Sequence, residues 1–92
     1  LDKKGARETD GFKPRWFELR GHHLVYSAGK NQSDNIKGNI NILNANGVGK
    51  STESGNELQI VMRGDGGRTY RLVAKSQDDR DVWISALSLA RD

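Results

Sequence analysis

The chain of 92 residues contains no cysteine and only one proline. Without cysteine it can form neither a disulfide framework nor a zinc site with thiolate ligands, and this composition fits an intracellular protein. No run of apolar residues exceeds four, whereas a membrane-spanning helix needs roughly 20 and the core of a signal peptide at least about 7. Any contact with a membrane must therefore be made from its surface.

The length and the net charge of the chain exclude two further classes of protein. A chain of 92 residues supplies one modest hydrophobic core, which excludes a two-domain enzyme. The net charge of +3 is too small for a general nucleic-acid binder unless the charge is concentrated. Residues 1–37 carry 8 basic and 5 acidic side chains, residues 38–75 carry 5 and 3, and residues 76–92 carry 2 and 4. The basic excess therefore lies towards the N-terminal part.

Alternation of apolar and polar residues predicts short antiparallel strands. Phe17 and Leu19 alternate with charged side chains, and Gly21 separates this run from the next, which is typical of a hairpin. The polar, Gly-rich stretch 44–56 is expected to be mainly loop, with at most a short strand around Val48. The alternation predicts strands at residues 13–20, 22–28, 38–43, 57–63 and 68–74.

The period changes near the C-terminus. Ser76 is followed three residues later by Asp79, a variant of the capping box that begins helices, and acidic residues suit the positive end of a helix. Apolar residues then recur at helical spacing: Trp83, Ala86, Leu87 and Ala90, with Val82 and Leu89 widening the stripe. The sequence predicts one C-terminal amphipathic helix that packs on a sheet.

Six segments along the chain together form a further pattern through their motifs, order and spacing. The first reads Leu-x-Lys-x-Gly, the second Lys-x-Arg-Trp-Phe-x-Leu, and the helix carries a single tryptophan. The six segments are Leu1 to Gly5, Lys13 to Leu19, Leu24 to Tyr26, Gly38 to Ile42, Tyr70 to Ala74 and Trp83 to Leu87. In this order and spacing they resemble the strands and the helix of the pleckstrin homology (PH) domain family.

The resemblance implies a mostly β fold, a seven-stranded antiparallel barrel or sandwich of two near-orthogonal sheets capped by the C-terminal helix. Residues 1–92 are then a single domain excised from a longer protein, because Leu1 would lie inside the first strand. Many PH domains bind phosphoinositide headgroups at the open end of the barrel, and others bind proteins. We therefore expect a monomeric, cytoplasmic module without cofactors, recruited reversibly to the inner face of the plasma membrane or of another phosphoinositide-bearing membrane.

Three basic residues flank one predicted hairpin loop. Alternation places Lys13 and Arg15 on the face of Phe17, and Lys3 on the face of Leu1. Charges on a core-facing side are costly unless they lie at the mouth of a barrel. We expect the three to converge there on a polyphosphate, Arg15 by bidentate contacts and the lysines as point charges. The alternative is that each is a solvated residue at a strand end.

The resemblance also implies roles for individual residues. The implied headgroup site consists of a basic triad for 3-phosphorylated inositides, a tyrosine that hydrogen-bonds a phosphate and a basic residue before the fourth strand: Lys3, Lys13, Arg15, Tyr26 and Lys37. Taken alone, a tyrosine such as Tyr26 is more often a core residue than a ligand contact. Bilayer contacts are expected from Lys4, Arg7 and Phe12, since each basic residue contributes about 1 kcal/mol against anionic lipid. Two acids of the first loop, Glu8 and Asp10, oppose an anion.

Other motifs have simpler explanations. The run Gly49-Lys50-Ser51 resembles the end of a nucleotide-binding P-loop, but Asn44 stands where that loop needs its first glycine and no helical pattern follows. Adjacent histidines in a strand, His22 and His23, point to opposite faces and cannot share a metal. The start of the helix accounts for its acids, and no nucleophile stands in a recognisable catalytic setting. We expect neither a metal site nor an enzyme.

Two other functions compete with headgroup binding. A domain of the same fold could bind a protein through its helix or its loops, with only weak and nonspecific attraction to anionic lipid. Nucleic-acid binding through a small barrel is disfavoured, because Trp16 lies next to basic residues but no set of exposed aromatic residues on adjacent strands accompanies it.

Overall fold

The computed structural model describes residues 1–5, 9–29, 35–51, 55–64 and 67–91. Within them the chain forms eight β-strands, one 3₁₀ helix and one α-helix. The strands are β1 Asp2–Lys4, β2 Phe12–Pro14, β3 Trp16–Arg20, β4 His23–Ser27, β5 Ile36–Asn41, β6 Ala45–Lys50, β7 Glu57–Met62 and β8 Thr69–Val73. The 3₁₀ helix is Ile42–Asn44 and the α-helix, α1, is Gln77–Arg91.

The strands form two antiparallel sheets. The larger has the order β2-β1-β8-β7-β6, and the smaller has the order β3-β4-β5. The single strand expected over residues 13–20 is divided at Arg15, where the chain passes from the larger sheet to the smaller. Pro14, just before the division, has no N–H for a sheet ladder. The predicted mostly β fold of two sheets with one C-terminal helix is confirmed, with eight strand segments where seven strands were expected.

The Gly-rich stretch 44–56 departs from expectation. Instead of a short strand around Val48 it contains β6, six residues long and paired with β7. Glycine and asparagine have low strand propensity, so the local pattern is weak, but pairing with an apolar neighbouring strand outweighs it. Val48 lies opposite the fully buried Ile60. The Gly49-Lys50 pair therefore belongs to a strand and not to a nucleotide-binding loop.

The strand expected over 38–43 lies two residues earlier, as β5. It ends at Asn41 because the side-chain oxygen of Asn41 accepts a hydrogen bond from the N–H of Leu43 at 3.1 Å and starts the 3₁₀ helix. Ile42 is nevertheless fully buried. The bounds of β7 and β8 lie within one residue of those predicted.

The core lies between the two sheets and α1. Leu24 and Ile40 face it from the smaller sheet, and Leu58 and Leu72 from the larger. Leu87 of α1, also fully buried, closes the end of the core that the helix covers. Burying each such side chain contributes about 1.5–3 kcal/mol relative to leaving it exposed.

The helix begins and packs largely as predicted. The hydroxyl oxygen of Ser76 accepts a hydrogen bond from the N–H of Asp79 at 3.0 Å. The prediction that Val82 and Leu89 widen the apolar stripe is wrong, however, because they are 66% and 76% exposed. They lie about 140–160° around the helix from Leu87, on the outer side. No helix in the described part of the chain is both long and apolar enough to cross a bilayer.

Candidate basic headgroup site

Lys3 faces the interior near the end of β1. It pairs with Lys13 of β2 on one side and with Leu72 of β8 on the other. Directly opposed residues of neighbouring strands share a face, so Lys3 lies on the same inner face as the fully buried Leu72. The lysine side chain is half-buried, and its ammonium group donates to the carbonyl oxygen of Lys4 at 3.3 Å.

Two tyrosines form aromatic walls around Lys3. Its Nζ lies 5.0 Å from the ring centroid of Tyr26 and 5.6 Å from that of Tyr70. Tyr26 belongs to the smaller sheet and Tyr70 to the larger, so the site spans both sheets. The ring of Phe17 supports Tyr26 from the core, with centroids 5.2 Å apart. Cations are attracted to aromatic faces, which helps to hold this lysine in place.

Arg15 lies where the chain passes between the sheets. Its N–H donates to the carbonyl oxygen of Leu1 at 2.9 Å, which fixes the backbone beside β1. Its guanidinium donates to the carbonyl oxygen of Pro14 at 2.8 Å. Because that contact uses one nitrogen, other N–H groups of the fork are available to an oxyanion.

A third cation, Arg68, was missed by the sequence analysis. It immediately precedes β8, and its guanidinium carbon lies 4.3 Å from the ring centroid of Tyr70. The signal was present in the alternation, because Arg68, Tyr70 and Leu72 are spaced by two and therefore share a face. Lys3, Arg15 and Arg68, with Tyr26 and Tyr70, are called the basic cluster below.

Burial and neighbouring charges shift the pKa values of two residues of the basic cluster. Burial, then the charges of Arg68 and Arg15, lower the pKa of Lys3 below its usual value. Burial and the neighbouring Tyr70 raise the pKa of Tyr26, although both arginines oppose this. The cations thus destabilise one another's charge, and an anion placed between them would relieve that repulsion.

A cleft of about 160 Å³ opens beside Lys3. Its lining residues come from the ends of β1 and β2 and the segment that joins them: Lys3, Gly5, Asp10, Gly11, Lys13 and Arg15. Lys13 stands exposed at its rim. The cleft thus continues the basic cluster towards the solvent.

A larger cleft of about 430 Å³ lies between Trp16 and Trp83, beside the start of α1. Its charged lining residues are of both signs: Asp2, Lys75 and Asp79. Because two carboxylates face one ammonium group, this cleft does not suit a polyanion.

The histidines do not form a metal site. His22 lies in the turn before β4, where its Nδ1 is 2.8 Å from the carbonyl oxygen of Ala90 in α1. Nδ1 of His23 lies 3.1 Å from the side-chain oxygen of Asn39. Among the residues that the structure describes, no group of three or more His, Cys, Asp or Glu residues could hold a metal ion.

Comparison with known proteins identifies the family. The family model of the PH domain matches residues 1–91. The chain belongs to the PH domain family. Human Sesquipedalian-1 is 36% identical over an alignment 92 residues long, and the match covers 98% of this chain and 35% of the relative. The chain thus spans about a third of that curated relative's length.

Solved structures agree with this PH fold. The carboxyl-terminal PH domain of pleckstrin is 28% identical, with a TM-score of 0.84, and the match covers 100% of this chain and 92% of that one. A second structure of that domain contains D-myo-Ins(1,2,3,4,5)P5. It is 27% identical with a TM-score of 0.80, and the match covers 100% of this chain and 93% of that one.

Within this PH domain the predicted headgroup residues are only partly brought together. Lys3, Arg15 and Tyr26 adjoin one another, and Lys13 is the cross-strand neighbour of Lys3. Lys37 is exposed where the pairing of β4 and β5 shifts register between Tyr26 and Ser27. No described hydrogen bond or ion pair joins Lys37 to the basic cluster. The binding role of all five residues stays a prediction.

The residues expected to contact a bilayer have other neighbours as well. Nζ of Lys4 donates to the carbonyl oxygen of Asp10 at 2.7 Å. The ring of Phe12 is 38% exposed, and the guanidinium carbon of Arg71 lies 5.4 Å from its centroid. Arg71 is held in turn by Glu57 at 2.8 and 3.0 Å. Arg7 and Glu8 lie outside the described residues.

Proposed function

We propose that this PH domain binds phosphoinositide headgroups in the basic cluster and thereby recruits its parent protein reversibly to membranes. The ligands proposed are 3-phosphorylated lipids such as phosphatidylinositol 3,4,5-trisphosphate and 3,4-bisphosphate. The observation that carries the proposal is geometric: Lys3 and Arg68 lie against two tyrosine rings, and Lys3 shares a cleft with Arg15. The pleckstrin relative crystallised with an inositol pentakisphosphate supports it.

The side chains of the cluster suit several phosphates at once. The guanidinium of Arg15 can bind two phosphate oxygens, while the ammonium group of Lys3 acts as a point charge. Arg68 approaches from the other wall, beside Tyr70. The raised pKa of Tyr26 keeps its hydroxyl protonated at neutral pH, so it can donate a hydrogen bond to a phosphate. The module needs no catalytic group for this role.

The rim of the cleft would face the membrane. Lys13 at the rim and Lys37 in β5 are exposed basic residues, each contributing about 1 kcal/mol near an anionic surface. Phe12 and Lys4 form a cross-strand pair beside the cleft, where an aromatic ring can enter the headgroup region. On this proposal the chain acts at the inner face of the plasma membrane or of another phosphoinositide-bearing membrane.

Sedimentation with vesicles tests the proposal directly. We expect phosphatidylcholine vesicles with a few per cent of phosphatidylinositol 3,4,5-trisphosphate to bind the domain at least about tenfold more tightly than phosphatidylserine vesicles of equal surface charge. Vesicles with the 4,5-bisphosphate should lie between them. Equal binding to all charge-matched vesicles would contradict headgroup recognition, because charge alone would then explain it.

Protein binding is the second candidate. It is favoured by one observation, the exposure of Val82 and Leu89 on the outer side of α1. Vesicle binding that follows total lipid charge and ignores the headgroup would support it. The basic cluster would then contribute only nonspecific attraction.

The affinity for soluble inositol phosphates should fall at high pH. The pKa of Lys3 is lowered by burial and by Arg68 and Arg15, so this lysine loses its proton below the usual 10.5. A bound phosphate favours the protonated form, so binding takes up a proton above the lowered pKa and weakens by up to about tenfold per pH unit. The ligand also titrates, because a phosphate monoester has a second pKa of about 6 and neighbouring phosphates raise it.

Calorimetry between about pH 7 and 10 measures this dependence. Lys3→Arg is the matched variant, because arginine keeps its charge throughout this range. A slope that persists unchanged in Lys3→Arg would show that another group titrates.

A further inference from the structure

One carboxylate-bearing residue lines the otherwise basic cleft. Asp10 stands there with Lys3, Lys13 and Arg15. Its backbone is fixed, because the carbonyl oxygen of Asp10 accepts from Nζ of Lys4 at 2.7 Å. Next to Asp10, the carbonyl oxygen of Gly11 accepts from the N–H of Gly5 at 3.2 Å.

The side chain of Asp10 lies against the backbone of Gly5. A Cβ built on Gly5 would lie 2.6 Å from Oδ2 and 2.8 Å from Cγ of Asp10, closer than real Cβ atoms come. Only a glycine at position 5 leaves room for the carboxyl group in this position. The carboxyl group of Asp10 therefore lies next to Gly5 at the end of β1, and Asp10 lines the cleft.

A carboxylate beside an anion site can distinguish a hydroxyl group of the ligand from a phosphate. When ionised it only accepts hydrogen bonds, so it can accept one from a ring hydroxyl. It repels a phosphate at the same place, because both groups are negatively charged. Selectivity often depends on such a repulsive element.

We propose that Asp10 determines the specificity of the cleft, by accepting a hydrogen bond from one free hydroxyl of the inositol ring and excluding a phosphate from that ring position. This inference rests on the proposed function, because it assumes that the basic cluster holds the other phosphates. The same ring chemistry occurs in lipid headgroups and in soluble inositol phosphates.

Inositol hexakisphosphate provides a test that does not depend on how the ring is oriented. It has no free hydroxyl, whereas each pentakisphosphate isomer has one. We expect the best pentakisphosphate isomer to bind the wild-type domain about tenfold more tightly than the hexakisphosphate, although it carries one phosphate fewer. Asp10→Asn should remove or reverse this ratio, since an amide can donate to a phosphate. Calorimetry at about 0.15 M salt measures both affinities.

Asp78→Asn is the matched control, because it makes the same change of charge on an exposed residue in the first turn of α1. It should leave the ratio unchanged. Asp10→Ser is a second variant in case Asn disturbs the loop, and thermal melting checks the fold of each. Competition by the pentakisphosphate against vesicles with phosphatidylinositol 3,4,5-trisphosphate shows whether lipid and soluble ligand use one cleft.

The outcomes separate the two proposals. If neither ligand binds the wild-type domain, the proposed function fails and this inference fails with it. Suppose instead that the pentakisphosphate and the hexakisphosphate both bind through Arg15, and that Asp10→Asn and Asp10→Ser raise the two affinities by the same factor. Asp10 is then only a general repulsive charge, and the inference alone is overturned.

Discussion

Replacing Arg15 by alanine should abolish most headgroup binding while leaving the fold intact. Truncating one member of a charge-assisted, partly buried hydrogen-bonded pair costs about 2–4 kcal/mol, which is roughly 30- to 1,000-fold in affinity. Within the described part of the chain, its side chain donates only to the carbonyl oxygen of the adjacent Pro14, so its removal breaks no contact between distant segments there. Its charge also lowers the pKa of Lys3, so its removal relieves repulsion in the free domain.

Arg20→Ala is the matched control for this experiment. Arg20 lies at the other end of β3, where its guanidinium pairs with Glu18 at 2.9 Å and is largely exposed. Its loss changes the net charge equally, so binding should weaken less than about threefold at 0.15 M salt. Calorimetry with a soluble inositol phosphate and thermal melting measure both effects. Equal losses in the two variants would assign binding to net charge and not to the basic cluster.

Much of the fold could be predicted because its signals are local and agree with one another. The alternation around Leu24, Leu58 and Leu72 indicates which face of each strand is buried, and these residues are indeed fully buried. The cap at Ser76 fixes the start of α1. Where a segment carries both a clear period and a clear boundary, sequence is sufficient to place it.

The remaining features depend on tertiary pairing. The β6 strand has two glycines and little alternation, and it is a strand because β7 lies beside it. Likewise Val82 and Leu89 match a helical stripe, yet the width of the contact surface leaves them outside. Periodicity gives the direction of a side chain but not whether a neighbour reaches it.

In the candidate site, too, some features follow from local pattern and others depend on tertiary pairing. The alternation of side chains along a strand correctly predicted that Lys3 lies on an inner face, because strand geometry alone decides which face a residue takes. Arg68 was missed because its proximity to Lys3 follows from the pairing of β1 with β8, two segments far apart in the chain. The position of Lys37 depends on the register shift between Tyr26 and Ser27, which no local pattern reveals.

Gly38→Ala should damage both stability and binding. Tyr26 and Gly38 are opposite each other on β4 and β5, and the ring of Tyr26 lies across the glycine. A Cβ at Gly38 would come within 2.6 Å of Cε1 and closer still to Cζ and Oη, where real Cβ atoms are not found. Either the ring leaves Lys3 or the strands separate. Such overpacking costs about 1–3 kcal/mol.

For a domain of this size, that loss corresponds to a fall in Tm of roughly 5–20 °C. Gly49→Ala is the matched control, because a Cβ there meets nothing within 4 Å, and its Tm should change little. A double-mutant cycle identifies the cause: once Tyr26→Ala has removed the ring, Gly38→Ala should cost no more than Gly49→Ala. If Gly38→Ala were equally harmful without the ring, backbone flexibility would explain the glycine, and its close contact with Tyr26 would not.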